Sequence, residues 1–148
     1  MNEIFESIRR VIDWLPIIWA DQDWHYTYLM DLLKFKFELM AKYFEKNKLA
    51  TEVQQVRECA AACARIANDN YGTDMLIEFT EKWGESDFVW VPERGTAEIR
   101  YLKALTPGEQ QQAQDECAKI FVAANKMLNN DVAFLCDTMK AGLLRWWD

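Results

Sequence analysis

The residues of this chain best suited to chemistry lie close together in the run Asp21-Gln22-Asp23-Trp24-His25, which contains the one histidine of the sequence. Two carboxylates and an imidazole this near to each other could bind a metal ion or act as an acid–base pair. Aspartates directly before a helix also accept hydrogen bonds from its free N–H groups and complement its dipole. The position favours this capping role, with His25 as a hydrogen-bonded packing residue.

A second set of polar residues lies on the helix predicted over Trp24 to Lys46. His25, Lys36 and Tyr43 project within about 20° of one another there, on an otherwise apolar side. A buried Lys36 would need a carboxylate partner or would lose its proton, unless its stem carries the ammonium group out to water. About 16 Å of helix separates His25 from Lys36, so the two cannot share one small catalytic centre. Two roles stay open for this set, a structural ion pair or a contact with a ligand or partner.

No familiar catalytic motif accompanies these residues. The sequence contains no glycine-rich phosphate loop, no GxSxG and no HExxH. Its four cysteines form no CxxC pair, and we expect them to be reduced, although a four-cysteine zinc site is conceivable if their segments pack together: Cys59, Cys63, Cys117 and Cys136. We predict no catalytic residue, no metal and no cofactor, and we expect a binding protein rather than an enzyme.

Acidic and aromatic residues alternate between positions 78 and 90, where we expect an irregular part of the surface. The predicted binding surface comprises Glu78, Glu81, Trp83, Glu85, Asp87 and Trp90. Tryptophan is enriched among the residues that dominate the free energy of protein–protein binding. The alternative interpretation is a solvated helix end whose two indole rings fold back onto the protein.

Composition limits the classes of partner. The 148 residues carry a net charge of −7, which argues against direct binding to nucleic acid, because that binding needs clustered Lys and Arg. A basic protein surface suits this charge better, although acidity also serves solubility. The sequence contains neither a run of 18 apolar residues nor a secretion signal. We therefore expect a soluble intracellular protein without a membrane partner.

Periodicity predicts the elements that position these residues. Apolar spacings of three and four predict a helix over Asn2 to Leu15, ended by Pro16. On the Trp24 to Lys46 helix the charges form one narrow stripe, which predicts a central helix enclosed by others on most sides. A third helix is predicted over Glu52 to Asn70, with Thr51 as its cap. A short fourth helix follows over Thr73 to Trp83 and is stopped by glycine.

The remaining chain predicts a hairpin and a long helix. Phe88 to Val91 and Ala97 to Leu102 flank a Pro/Gly turn, so the region near 88–102 is either a small β-hairpin or an irregular loop. Thr106-Pro107-Gly108-Glu109 matches a capping box. The helix that it starts should keep one inner face to the end of the chain, unless Asn129 to Asp131 kinks or splits it. We predict a mainly α single domain over 1–148, a bundle of five or six helices.

Several motifs resemble those of a group of small, functionally uncharacterised proteins encoded by tailed bacteriophages. The motifs lie in three places: Ile18-Trp19-Ala20-Asp21-Gln22-Asp23-Trp24; Tyr28-Leu29 with Leu32-Leu33-Lys34-Phe35-Lys36 and Met40; and the closing Trp146-Trp147-Asp148. The chain departs from the group at His25, where members often have an acidic residue. The resemblance implies expression in the cytoplasm of a bacterial host, and it implies no catalytic residue.

The same resemblance implies an accessory protein that binds and redirects host machinery. An acidic, compact phage protein could occupy a basic nucleic-acid groove of a host defence complex, where complementary charge speeds encounter. A helical bundle that binds a small molecule or nucleotide through His25, Lys36 and Tyr43, either as a binding protein or as a minor enzyme, is the alternative. A virion or assembly component that self-associates through Trp146 and Trp147, and hence a homo-oligomer, is a third possibility.

Overall fold

A computed structural model of the chain describes residues 2–20 and 25–147, apart from the side chains of residues 2, 3, 50, 51 and 147. These residues form five α-helices, one two-stranded antiparallel sheet and a short 3-10 helix. In chain order the elements are α1 (Asn2–Trp19), α2 (Tyr26–Lys46), α3 (Ala50–Asn68), α4 (Thr73–Trp83), β1 (Ser86–Val91), β2 (Thr96–Tyr101), α5 (Pro107–Gly142) and the 3-10 helix Arg145–Trp147. The predicted mainly α fold with a small hairpin is confirmed.

Two compact units divide the chain. The first unit comprises residues 1–69 and 130–148, and the second comprises residues 70–129. Helix α5 therefore contributes its first part to the second unit and its last part to the first. The expectation that residues 1–148 fold as one domain stays a prediction.

Helix α1 is longer than its sequence predicts. We expected Pro16 to end it, but the helix continues through Pro16 to Trp19. A proline inside a helix removes one N–H donor and crowds the preceding turn, and here it lies only one turn from the end. The carbonyl of Pro16 still accepts a hydrogen bond from the N–H of Ala20 at 3.2 Å. The proline therefore does not end the helix, although the hydrogen bond that a residue with an N–H group would donate to the carbonyl of Ile12 is lost.

In the first unit the core lies between α2 and α3. Helix α2 buries Phe37, Met40, Ala41 and Phe44. The seam predicted for α3 is confirmed where it is buried, at Val53, Val56, Ala60 and Cys63. Small residues on this seam allow close helix contact, and each large apolar side chain buried there contributes roughly 1.5–3 kcal/mol.

Helix α2 is less enclosed than its composition predicts. The charged residues of its predicted stripe are exposed apart from the half-buried Lys34, and the apolar Tyr26, Leu29 and Tyr43 are exposed as well. Its fully buried residues recur every three or four positions, which is one face of the helix. Most of its other apolar residues are half-buried, and Phe35 packs against a ring of α1. Neighbouring elements therefore cover more than one face of α2, but they do not enclose it completely.

Long-range contacts tie the end of the chain to this core. The guanidinium group of Arg65 on α3 donates from two nitrogens to the two carboxylate oxygens of Asp131, both at 2.7 Å. The ring of Trp146 packs edge-on against Phe37, with the centroids 6.1 Å apart. This arrangement requires Gly142, because a Cβ atom at that position would clash with the indole of Trp146.

The second unit packs α4, the hairpin and the first part of α5 together. Its core consists of Phe79, Trp83, Tyr101, Ala104 and Ala113, with Cys117 and Ile120 packed against it. The rings of Phe79 and Tyr101 meet edge to face at 5.2 Å. The base of β2 is thereby anchored to α4.

The capping box at the start of α5 is confirmed. The backbone N–H of Glu109 donates to Thr106 Oγ1 at 3.2 Å, and the N–H of Thr106 donates to Glu109 Oε2 at 2.8 Å. The helix is continuous through Asn129 to Asp131. Those polar residues lie at its surface, and Asp131 has an ionic partner, so nothing interrupts the backbone ladder there.

The inner face predicted for α5 is only partly buried. Ala113 and Leu135 are buried as expected, whereas Phe121 and Met127 are exposed. Periodicity shows which residues share a face of a helix, but it does not show how far a neighbouring element extends along that face. The middle of α5 therefore keeps apolar side chains in water.

Candidate protein-binding surface

A tight turn holds β1 and β2 together. The N–H of Arg94 donates to the carbonyl of Val91 at 3.1 Å, and the N–H of Gly95 donates to that of Pro92 at 3.3 Å. Gly95 has φ of 61°, in the left-handed region that glycine enters at little cost. The register pairs Phe88 with Ile99. The hairpin that we left open against an irregular loop is therefore present.

Three apolar side chains lie exposed on one face of the hairpin. Directly opposite residues of antiparallel strands share a face, so Phe88, Ile99 and Trp90 project to the same side. Their exposed fractions are 72%, 41% and 62%. We call these three residues the hairpin apolar patch. Leu102 and Leu105, just after β2, are exposed as well.

The patch stays exposed because the helices support only the base of the hairpin. Tyr101 lies on the same face, yet it is buried against Phe79. The side chains of that face that lie nearer the turn are accessible to water. An exposed group of large apolar residues beside polar ones is typical of a protein-binding site.

Glutamine side chains of α5 cover the outer edge of β2. Gln110 accepts a hydrogen bond from the N–H of Tyr101 at 3.0 Å and donates to its carbonyl at 2.9 Å. One turn later, Gln114 Nε2 donates to the carbonyl of Ile99 at 3.4 Å. These hydrogen bonds occupy both outward backbone groups of Tyr101 and the carbonyl of Ile99, so this edge is covered near its base. The sequence did not lead us to predict this role for either residue. The signal that could have identified them is their spacing of four, which places both on one face at the start of a capped helix.

The outer edge of β1 is open among the described residues, because β2 is its only strand neighbour there. The N–H of Leu102 donates to the carbonyl of Glu85, and hydrogen-bonded pairs alternate along an antiparallel ladder. The backbone groups of Ser86, Phe88 and Trp90 therefore point outward. The carboxylate of Asp87 accepts the N–H of Phe88 at 2.8 Å, which partly shields the edge.

Two of the predicted acidic residues lie on α4, and the other two lie directly before and within β1. Glu78, Glu81, Glu85 and Asp87 are all exposed, and among the described residues none of them forms an ion pair at 4.0 Å or less. Nearby cations are engaged elsewhere, because Lys82 binds Glu116 and Lys103 donates to the backbone carbonyl of Glu81. The side chains keep an uncompensated negative charge on the surface.

A groove of about 600 Å³ lies beside these carboxylates. Its lining combines apolar, hydroxyl and acidic residues with one lysine, and comprises Thr73, Leu76, Ile77, Thr80, Glu81, Gly84, Glu85 and Lys103. This combination suits a partner segment that carries both apolar and basic side chains. The groove and the exposed acids belong to the second unit, as does the hairpin.

Trp83 is a correction to the predicted surface. Only 7% of it is exposed, because it packs in the core of the second unit. Its indole N–H donates to Glu116 Oε2 at 2.7 Å, and Lys82 Nζ lies 4.6 Å from its ring centroid. The hydrogen bonds to Glu116, led by that of Lys82, lower the pKa of its carboxyl group to about 2. Of the two predicted tryptophans, only Trp90 is available to a partner.

The alternative set of residues is brought together only in part. Lys36 and Tyr43 line one cavity of about 360 Å³ in the first unit, together with Arg10, Leu39, Met40, Phe44 and Trp146. His25 is not part of that lining. Its Nδ1 lies 2.8 Å from Thr27 Oγ1, and its ring stacks on Tyr26. His25 is thus hydrogen-bonded as predicted, but it is exposed, so the predicted packing role is not confirmed.

The predicted self-association residues are not both available. Trp146 is buried against Phe37, so its ring cannot bind a second copy without leaving the core. The indole Nε1 of Trp146 has no hydrogen-bond partner among the described residues. The side chain of Trp147 and the expected caps Asp21 and Asp23 lie outside the described residues. The prediction that Thr51 caps the third helix is wrong, because α3 begins at Ala50 with Leu49 as its N-cap, so Thr51 lies inside the helix.

The described residues contain no metal-binding cluster and no membrane-spanning helix, and comparison with known proteins indicates no further site. In the described part of the chain, no group of three or more His, Cys, Asp or Glu side chains could hold a metal ion. No described helix combines the length and apolar character needed to cross a bilayer. The chain matches no protein-family model, and no curated protein or solved structure is significantly similar to it.

Proposed function

We propose that this protein is a binding module that attaches to another protein through the open edge of β1 and the hairpin apolar patch. The observation that carries the proposal is the exposure of Phe88 and Trp90 beside an edge whose backbone groups point outward. Near the base of the hairpin, the edge of β2 is covered by Gln110 and Gln114, whereas no side chain of another element covers the edge of β1 among the described hydrogen bonds. Strand addition is a common means of peptide recognition on such an edge.

The partner segment is extended and basic. A strand laid along β1 would exchange main-chain hydrogen bonds with Ser86, Phe88 and Trp90, while every second side chain of the partner contacts the hairpin apolar patch. The carboxylate of Asp87 would release the N–H of Phe88 in this step. Lys and Arg side chains of the partner would then meet Glu81, Glu85 and Asp87.

Charge supports this choice of partner. Complementary charge raises the rate of association and selects against acidic competitors more than it raises affinity. The exposed tryptophan and phenylalanine supply the apolar contact area that usually dominates binding free energy. We propose a host protein or nucleoprotein complex as the partner, bound in the bacterial cytoplasm, with inhibition of a defence complex as the biological result.

The test is affinity capture from a lysate of the bacterial host at about 150 mM salt, followed by mass spectrometry. Trp90→Ala should lose the captured protein, because it truncates the centre of the patch. Tyr43→Ala is the matched control, since it removes an exposed aromatic residue from the other unit. The double variant Glu85→Lys/Asp87→Lys should also reduce the amount of captured protein. This reduction should be larger at low salt than at high salt, because salt screens exposed charges.

Two results would contradict the proposal. One is recovery of the same proteins by the original chain and by Trp90→Ala in equal amounts. The other is loss of the partner in Tyr43→Ala alone, which would place the binding surface in the first unit. Circular dichroism of each variant establishes that the fold is retained.

A small-molecule site is the second candidate function, favoured by the cavity that Lys36 and Tyr43 line. Arg10 and Lys36 supply cations there, and Tyr43, Phe44 and Trp146 supply aromatic surface. Such a lining suits an anionic ligand with a planar ring, for example a nucleotide, and the volume is at the lower end for ligand sites. Thermal shift measurements with nucleoside mono- and triphosphates test it. A shift that disappears in Lys36→Ala supports this function, and no shift rejects it for nucleotides.

A further inference from the structure

The apolar face of α1 is exposed along its whole length. At 100° per residue, eight apolar side chains fall within an arc of about 140° on this helix. Their exposed fractions run from 47% to 87%, and they are Ile4, Phe5, Ile8, Val11, Ile12, Leu15, Ile18 and Trp19. We call these eight residues the α1 apolar face.

Helix α1 makes its contact with α2 through other residues. The rings of Trp14 and Phe35 meet edge to face at 4.9 Å, and Ile17 lines a cavity together with Tyr28 of α2. Ile17 projects from the side of α1 opposite the middle of its apolar face, and Trp14 projects about 110° from that middle, outside the face. Anchoring through these two residues leaves the α1 apolar face turned away from α2.

The exposed area is too large for a free surface. The eight exposed fractions are equivalent to about five fully exposed side chains. With roughly 150–250 Å² for each aromatic side chain and less for each aliphatic one, the α1 apolar face presents on the order of 800 Å² to solvent. The largest apolar patch of a typical monomer covers about 300–600 Å². Each partner in a standard interface buries about 800 Å². The face therefore has the area that a stable protein–protein contact needs.

We propose that this face is an interface between two copies of the chain, with their α1 helices packed antiparallel. A twofold axis between Val11 and Ile12 brings every residue of the face opposite another residue of the same face: Ile4 and Trp19, Phe5 and Ile18, Ile8 and Leu15, Val11 and Ile12. A twofold interface requires such a self-complementary surface. Each aromatic ring meets an aliphatic side chain, and the uncharged Ser7 and Pro16 lie opposite each other at the rim.

Charge distinguishes a second copy from a lipid surface. A helix that lies on anionic membranes is rich in Lys and Arg on its polar side. Helix α1 has two arginines, Arg9 and Arg10, against three acids, Glu3, Glu6 and Asp13. The whole chain carries a net charge of −7. Both values oppose attraction to anionic lipid, whereas the apolar face itself carries no charge that a second copy would repel.

The pairing gives the proposed binding module a second copy of its surface. Each chain keeps its own hairpin apolar patch, so a dimer has two, and bivalent attachment to a repeated partner exceeds the affinity of one site. The dimer does not depend on the proposed function, because α1 and the hairpin share no residue. Loss of partner capture and loss of dimerisation are therefore separate results.

Sedimentation equilibrium over a range of protein concentrations tests the proposal with the full chain. We expect a dimer for the original protein and a self-association at least about 100-fold weaker for Ile8→Glu/Leu15→Glu, because four buried apolar side chains are lost across the interface. Asp13→Lys, on the opposite side of α1, should leave the dimer intact. Circular dichroism should show the same helix content in all variants, since these positions are exposed in the single chain.

The variant Ile8→Glu/Leu15→Lys tests the orientation. In the antiparallel pair the introduced glutamate of each copy faces the introduced lysine of the other copy, so dimerisation should recover relative to the double-glutamate variant. In a parallel pair like charges would face each other, and no recovery would follow. A monomeric original protein at about 100 μM overturns the proposal, as does a monomer that binds vesicles of phosphatidylcholine and phosphatidylglycerol through the same face.

Discussion

Trp83 and Glu116 are joined by a hydrogen bond of 2.7 Å from the indole N–H to a carboxylate oxygen. The same carboxylate accepts two hydrogen bonds from Lys82 at 2.9 Å and one from Gln112 at 3.0 Å. A residue that the sequence placed on a binding surface is thus held in the core by a partner 33 positions away. Glu116 links α4 to α5, and its ionisation supports that link.

Glu116 should make stability depend on pH in the acid range. Its pKa is lowered from 4.5 to about 2 by hydrogen bonds from Lys82, Trp83 and Gln112. The lowered pKa means that the folded state binds the proton less tightly than the unfolded state. The stabilisation is complete above about pH 4.5 and is lost as the pH falls toward 2. Thermal unfolding of Glu116→Gln between pH 2 and 6 should show a smaller pH dependence than the original chain.

Asp115→Asn is the control for that measurement, because Asp115 is exposed and its hydrogen bond is to Gln111 within the same helix. It should leave the acid dependence of the melting temperature nearly unchanged. Equal slopes for Glu116→Gln and the original protein would show that Glu116 does not carry the effect.

The two tryptophans near the hairpin should differ in their effect on stability. Trp83→Ala removes a buried ring and leaves a cavity, for which we expect a loss of about 3–5 kcal/mol in the free energy of unfolding. Trp90→Ala removes an exposed ring, for which we expect a change within about 0.5 kcal/mol. Urea denaturation at neutral pH measures both. Comparable losses would indicate that Trp90 is packed rather than free.

Gly142 should be intolerant of a larger side chain. The Cβ atom of Gly142→Ala would collide with the indole of Trp146, which must then move away from Phe37. Overpacking of this kind costs about 1–3 kcal/mol. Gly108→Ala is the matched control, because nothing lies within 4 Å of its added Cβ, and there alanine should stabilise by about 0.4–1 kcal/mol. Opposite signs for the two substitutions in urea denaturation are the expected result.

The capping box of α5 should be measurable as a coupled pair. Thr106→Ala removes the acceptor for the N–H of Glu109, and we expect a loss of about 0.5–2 kcal/mol. Glu109→Ala removes the acceptor for the N–H groups of Leu105 and Thr106. Because the two side chains bond each other's backbone, the double variant should lose less than the two single losses combined. Strict additivity would mean that the reciprocal hydrogen bonds contribute no coupling.

The cysteines should differ sharply in reactivity. Burial, aided by Glu58, raises the pKa of Cys59 to about 11, and burial with the nearby Cys59 does the same for the pKa of Cys63. The reactive thiolate is thus scarce at both positions at pH 8. Cys136 is exposed. Iodoacetamide labelling followed by mass spectrometry should modify Cys136 in the native protein, and Cys59 and Cys63 only in urea. Early labelling of Cys63 would show that α3 opens locally.

Local signals in the sequence predicted most of the elements but the limits of only some of them. Thr73 to Trp83 is a helix with those ends, the capping box starts α5, and the Pro/Gly turn joins two strands. Each of these features depends on residues a few positions apart, which exchange hydrogen bonds or permit a particular backbone angle. The prediction that Pro16 ends α1 was wrong for a related reason. Whether a proline ends a helix depends on the conformation of the residues that follow it.

Burial was decided by the tertiary structure alone. Trp83 and Trp90 have the same side chain and lie seven positions apart, yet one is enclosed and the other is exposed. Likewise, periodicity identified the apolar face of α1 but not that it would face solvent. The apolar periodicity of a helix or strand shows which residues share a face. Whether that face is buried depends on residues distant in the sequence, as Trp83 is held in the core by Glu116. The candidate surface at β1 emerged for the same reason, because only the fold shows which edge Gln110 and Gln114 cover.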